Sequence, residues 1–211
     1  MRWIGRLAEL IEDWKYIIRR DGWRSGLPTM GQEIAQLFYR HLEFVVVTRF
    51  LLEPLPDLQP KLAFEIREFR PSDLDLVRQM DRPSEARLCA RRLACGHKGW
   101  LALYQGQPAA YAWACAEVEP TLERVCLKLE PGDMLCADVY TVPAFRGQGL
   151  QTVLTLARFQ LFRDLGFRRA VTYIEKRNAP SLTVWQKKVG SQIIGQVDFV
   201  RIGPWRRLRY S

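Results

Sequence analysis

Apolar residues recur three and four positions apart at the start of the chain, at Trp3, Ile4, Leu7, Leu10, Ile11, Trp14, Ile17 and Ile18. That spacing gathers them on one face of a helix and predicts an amphipathic helix over residues 2 to 20. Asp21-Gly22 breaks the pattern, and Ser25-Gly-Leu-Pro28 reads as a turn. A short helix is expected from Gln32 to Arg40 and a strand from Phe44 to Leu52. Pro54, Pro56 and Pro60 then interrupt any regular backbone. The chain divides here, into a mainly helical N-terminal extension, residues 1–60, and a domain of residues 61–211.

Beyond the prolines, strand and helix patterns alternate. Phe64-Glu-Ile-Arg-Glu-Phe69 has the period of two of a half-buried strand. Pro71-Ser-Asp-Leu-Asp-Leu-Val opens a helix with acidic residues in its first turn, and Glu85 to Ala94 reads as another. Trp100 to Tyr104 and Ala109 to Ala116 flank Gln105-Gly-Gln-Pro108, a hairpin signature. A strand from Met134 to Val142 leads to a helix from Leu150 to Leu165, ended by Gly166. A strand at Ala170 to Ile174, a helix from Pro180 to Lys188 and two strands, near Ser191–Phe199 and Val200–Tyr210, complete the chain. The fold class expected is α/β (α+β).

Composition narrows the chemistry. With 48% hydrophobic and 26% charged residues, the 211 residues are expected to bury a core. Five cysteines without a Cys-x-x-Cys pair, and two histidines without ligand spacing, argue against a disulfide framework and against a structural metal. Reduced cysteines fit the cytoplasm. Charges at Arg6, Glu9, Glu12 and Asp13 interrupt any secretory signal, and Phe44-Val-Val-Val47 is too short to span a bilayer. The formal charge of +9 implies an anionic partner. Without zinc-finger spacing or an aromatic-basic RNA motif, nucleic acid ranks low among such partners.

The informative segment is Asp138-Val-Tyr-Thr-Val-Pro-Ala-Phe-Arg-Gly-Gln-Gly-Leu-Gln-Thr152, a strand passing through two glycines into a helix. Free amides and the positive dipole end at a helix N-terminus attract phosphate oxygens. Glycine lets the backbone turn sharply and approach a ligand. A Walker loop would need Lys and Ser/Thr after Gly149, where Leu150 and Gln151 stand; a dinucleotide loop would need glycine at Thr152.

What remains resembles the coenzyme A signature of the GNAT superfamily: Val142-Pro143, then Arg146-Gly147-Gln148-Gly149-Leu150. Asn178, with Ser181 and Trp185 after it, is similar to the family's second cofactor segment, and Lys187-Lys188-Val189-Gly190 to its closing turn. Ile66-Arg67 and Asp73-Leu74 are similar to its opening strand and helix. The resemblance implies a GNAT-like mixed, mostly antiparallel central sheet flanked by helices, behind the helical N-terminal extension. It implies acetyl-CoA, or another acyl-CoA, as cosubstrate, lying between the strand that ends at Val142 and the strand of Ala170–Ile174. Backbone groups of Tyr140, Thr141 and Val142 would pair with its pantetheine arm. Amides from Arg146 through Gly147, Gln148, Gly149 and Leu150 to Gln151 would hold its pyrophosphate, with Asn178 and Ser181 nearby. Asn178 could equally cap the helix at Pro180.

The activity implied is N-acyl transfer, most simply N-acetyl transfer, by direct attack of a small-molecule or protein amine on the thioester. The amine needs a base. Asp138 ranks first among the carboxylates, ahead of Asp133, Glu117 and Glu119. Tyr140 and Tyr173 are the candidate acids, although tyrosine on a strand is commonly packing. The family often has tyrosine where Trp185 stands, and an indole cannot protonate a thiolate; Ala144 replaces a common Arg or Gln. Ala144 removes one side-chain phosphate contact, and the Trp185 departure favours the alternative of a catalytically inactive acyl-CoA-binding or sensing module. The first helix is expected to pack on the protein; peripheral membrane contact through residues 2–20 is the other reading. A homodimer is left open.

Overall fold

A computed structural model of the chain describes residues 2–117, 129–203 and 205–211. Two helices, α1 (Arg2–Asp21) and α2 (Trp23–Phe38), lead into β1 (Tyr39–Phe50). After an irregular segment, 51–64, come β2 (Glu65–Glu68), α3 (Leu74–Met80) and α4 (Pro83–Ala94). The strands β3 (Lys98–Tyr104), β4 (Gln107–Cys115) and β5 (Asp133–Thr141) follow, then α5 (Leu150–Asp164) and β6 (Arg169–Glu175). Last come α6 (Ala179–Thr183), β7 (Gln192–Ile202) and β8 (Trp205–Tyr210).

The strands form one sheet in the order β2-β3-β4-β5-β6-β1-β7-β8. Only β5 and β6 run parallel. That pair needs a crossover, and α5 supplies it. The fold is the mixed, mostly antiparallel sheet with flanking helices that the resemblance implied. The expected β3–β4 hairpin turns at Gln105-Gly106, both at positive φ (50° and 79°), which suits the twist of the strands it joins.

α5 covers one face, packing Leu150, Leu154, Phe159 and Phe162 over Val45, Val47, Ala112 and Met134. α3 and α4 cover the other, with Val77, Met80, Ala86 and Cys89 against Leu101, Tyr111 and Trp113. α1 is tied to the start of α4, where the Asp13 carboxylate accepts from the Ser84 amide and hydroxyl. It is tied to α2 by the Trp14 indole donating to Glu33 at 2.7 Å.

Two expectations fail locally. No turn forms at Ser25–Pro28, because α2, with Gly22 (φ 77°) as its N-cap, runs through it with Pro28 inside. Proline's fixed φ suits a helix, and so near the start it forfeits one internal bond. The closing strands are divided at Gly203 (φ 55°), not between Phe199 and Val200. The glycine permits the reversal, and the strand pattern continues unbroken through 199 and 200.

β1 holds an interior place. It pairs with β6 from Phe44↔Glu175 to Phe50↔Arg169, and with β7 from Tyr39↔Ile202 to Thr48↔Gln192. Val45, Val46 and Val47 are 5%, 1% and 0% exposed, the unbroken apolar run of a strand buried on both faces. Residues 1–60 thus supply a central strand to the sheet that the rest of the chain builds.

Candidate active site

The site begins where two strands part. β5 and β6 pair only at Asp133↔Arg169, Met134↔Ala170 and Leu135↔Val171. Arg169 clamps this closed end with two bonds to Asp133, of 2.7 and 2.6 Å. One step on, the Thr172 hydroxyl donates to the Cys136 carbonyl at 2.7 Å, and the ladder ends. A bulge bends β5 away: its register on β4 passes from Ala112↔Val139 to Trp113↔Ala137, leaving Asp138 outside the ladder.

Arg158 of α5 plugs the bulge from one side of the sheet. Its Nη1 donates to the carbonyls of Trp113 (3.0 Å) and Ala137 (2.9 Å), its Nη2 to the Thr155 hydroxyl and its Nε to the Leu154 carbonyl. The residue is 0% exposed, and no carboxylate pairs with it among the described residues. Burial pulls its pKa down, yet a guanidinium stays charged in a protein. From the other side, Arg92 of α4 holds the Asp138 carboxylate at 2.7 Å.

The space between the strands is a cleft of about 880 Å³, into which the start of α5 faces. Gly147 and Gly149 stand at φ 76° and 90°, the left-handed region that favours glycine. Gly149 is the N-cap of α5 and has no side chain to close it, so the Leu150 and Gln151 amides lack helical partners, while the Thr152 amide donates to the Gly149 carbonyl at 3.0 Å. Thr152 of the same turn has a buried hydroxyl. The residue lines the cleft and is 3% exposed, but its Oγ1 has no hydrogen-bond partner. An orphaned buried hydroxyl beside open helix amides suits an anionic oxygen.

The structure gathers most of the expected cofactor residues. Tyr140, Thr141, Arg146, Gly147, Gly149, Leu150, Gln151, Asn178 and Ser181 all line the cleft. The two motifs are joined, since the Gln151 amide donates to the Ser181 hydroxyl at 2.9 Å. Asn178 caps α6, accepting from the Ser181 amide at 3.2 Å. Val142 and Gln148 stand apart from the rest. The Val142 N–H is taken by the Ala109 carbonyl, and the Gln148 carbonyl accepts from the Lys61 N–H of the 51–64 segment.

The expected catalytic residues differ in their settings. Asp138 lines the cleft but is ion-paired to Arg92. The Tyr140 hydroxyl donates to the Met80 carbonyl, and burial raises its pKa. Tyr173 lines the cleft from β6 and packs edge-to-face on Phe44, ring centres 5.3 Å apart. Asp133 is committed to Arg169, Glu117 is exposed, and Glu119 lies outside the described residues. Trp185 is 2% exposed and packs edge-to-face on Phe159.

Sequence reasoning missed the acidic residues behind Asp138. Glu85 of α4 is pushed up to about 7, by burial first and then by Asp138 and Asp81. Asp81 is raised by burial while accepting from the Tyr111 hydroxyl at 2.9 Å. Neither spacing nor motif marks them, since α3 and α4 bring them to β5 only in the fold. Arg158 did leave a signal: it stands four residues after Leu154, on a face of α5 that the core buries.

Comparison with known proteins matches this arrangement to one family. The family model described as "Acetyltransferase (GNAT) family" matches residues 63–190. No curated protein matches the chain. Among solved structures, a GCN5-related N-acetyltransferase from Sphaerobacter thermophilus aligns over 85% of this chain and 56% of its own, with TM-score 0.56 and 16% identity. A tandem GNAT protein from the clavulanic acid biosynthesis pathway aligns over 87% and 59%, with TM-score 0.55 and 14% identity. A protein of unknown function from Staphylococcus epidermidis aligns over 82% and 66%, with TM-score 0.53 and 11% identity. The chain thus spans little more than half the length of the first two, and at such identities the likeness is one of fold. The match over most of the chain, on a sheet that opens beside a glycine-flanked helix, is decisive: the chain belongs to the GNAT acetyltransferase family.

Proposed function

We propose that the chain is an acyl-CoA-dependent N-acyltransferase, acetyl-CoA being the simplest donor and an amine the acceptor. One observation carries the reading: Leu150 and Gln151 with their open amides, the glycines at positive φ and Thr152 with its unpartnered hydroxyl all line one cleft between parting strands. When bound, acyl-CoA supplies the acyl group already activated as a thioester. The first turn of α5 and Thr152 would hold the pyrophosphate, with Arg146 beside it. The edge of β5 at Tyr140 and Thr141, where the Arg146 Nε donates to the Thr141 carbonyl at 3.2 Å, would take the pantetheine arm as an added strand once that side chain moves to the phosphates. Gln151 and Ser181, already bonded to each other, would keep the two sides of the cleft in register.

The acceptor would approach from the α3–α4 side, where Asp81, Glu85 and Asp138 set a negative potential that favours a cationic amine. Glu85, with a pKa near neutrality, is suited to take the amine's proton. Asp138, held by Arg92, would contribute charge. Tyr140 and Tyr173 remain the hydroxyls on the two parting strands.

Gly147→Val and Gly149→Val test the cradle. A Cβ at Gly149 would stand 3.5 Å from the Pro60 Cα, in ordinary contact, so the strain comes from φ and costs on the order of 1–3 kcal/mol. Both variants are expected to stay folded and to lose calorimetrically detectable coenzyme A binding. Unchanged affinity would refute the cradle. Because Trp185 is packed in the core where the family often has tyrosine, a non-catalytic acyl-CoA-binding module is the second reading. Thiol release from acetyl-CoA with a panel of amines separates the two: release supports the enzyme, and binding without release supports the module.

A further inference from the structure

The proposed reaction leaves a charge unaccounted for. As the amine nitrogen bonds to the acyl carbon, the carbon–sulfur bond breaks and its electron pair stays on sulfur. The amine proton passes to a base and on to water. The products are an amide, a thiolate and a proton, and the indole of Trp185 is too weak an acid to protonate the sulfur.

The molecule holds a matching opposite charge. Arg158 is 0% exposed in the wall of the cleft, without a paired carboxylate among the described residues. Its bonds go to two main-chain carbonyls of the bulge, one of its own helix and a hydroxyl. These satisfy four of its five N–H donors but bring it no carboxylate in contact; the acid that acts on it, Asp138, does so from a distance while ion-paired to Arg92. A cation placed this way is costly unless a counter-charge arrives. The geometry says where. The cradle lies beyond Thr141 and Arg158 bonds to Ala137, about 13 Å away along β5 at the rise of a strand. An arm laid on β5 from the cradle inward brings its sulfur end to the bulge.

We propose that Arg158 is the group that stabilises the departing thiolate, acting as a fixed positive charge behind the bulge rather than as a proton donor. The proposal rests on the acyl-CoA reading of the cleft and adds the fate of the sulfur to it. Arg158 is a positioning residue: it keeps the bulge carbonyls paired, so that their negative ends do not face the sulfur, and it lends its own charge to the same spot. In a water-poor site such a charge acts strongly and needs no reorganisation as the bond breaks.

The test is the thiol itself. Thiolate absorbance of coenzyme A bound to the protein, followed against pH beside free coenzyme A, reads its ionisation without turnover, while calorimetry reads affinity. The bound thiol is expected to ionise about one unit or more below the free one, as an acid does near an opposite charge. Arg158→Lys should keep much of that shift; Arg158→Gln should lose it, with coenzyme A affinity within about threefold at neutral pH, where the thiol is mostly protonated and the arm is held elsewhere. A wild-type thiol that titrates like free coenzyme A overturns the proposal, and so does Arg158→Gln with the shift intact. If Arg158→Gln does not fold, the wild-type titration and Arg158→Lys decide. Failure of the wild-type protein to bind coenzyme A would be a different result, overturning the reading of the cleft.

Discussion

Glu85 shows what burying an acid can cost the fold. Its folded pKa, about 7, lies above the ordinary value of 4.5, so between those two values the folded protein binds more protons than the unfolded chain. Stability is therefore full in the acid part of that window and declines as pH rises through it. Glu85→Gln removes the penalty. It is expected to raise stability at pH 8 by about 1 kcal/mol and to leave it unchanged near pH 4, as measured by urea denaturation. The same variant should slow acyl transfer most near neutral pH if Glu85 takes the amine proton. Glu85 was illegible in the sequence because an acid early in a helix ordinarily serves the helix dipole. Gly147 and Gly149 were legible for the opposite reason, since a left-handed backbone demands glycine and so shows in the residue identity.

At the scale of elements, the opening of β5 from β6 depends on a few side chains. The hydroxyl of Thr172, bonded to the Cys136 carbonyl, is the last tie before the cleft. Thr172→Val keeps the shape and leaves that buried carbonyl short of a partner, at about 1–2 kcal/mol by thermal or chemical denaturation. Coenzyme A affinity is expected to fall with it, because the vertex of the cleft loosens. Deleting Asp138 should act more severely: Val139 would then follow Ala137 in regular register on β4, the bend that parts β5 from β6 would be lost, and calorimetric binding of coenzyme A should vanish. Strands and helices of this region were readable from their periods. The bulge was not, because one extra residue leaves no mark in an alternation as short as Ala137 to Thr141.

At the scale of the whole molecule, the sheet is continuous only because β1 fills the place between β6 and β7. A chain beginning at residue 61 is expected to lose its cooperative thermal transition, since β6 and β7 lose the ladder that connects them. Its survival as a folded, soluble protein would show that β1 is dispensable. The buried valines of β1 announced an interior strand, yet local pattern carries no record of which distant strands it joins. The far edge, β8, exposes Arg206, Arg207 and Arg209, and charge on an edge discourages pairing with another sheet.

The passage from β1 into the rest of the sheet crosses the outside of the glycine bend, where the Lys61 amide is bonded to the Gln148 carbonyl and Pro60 rests against Gly149. Whatever steadies that bend from within also steadies the tether outside it, and the influence must run both ways. A protease offered the loaded protein should be slower to cut between residues 51 and 64, and a nick there should loosen the protein's hold on its cargo.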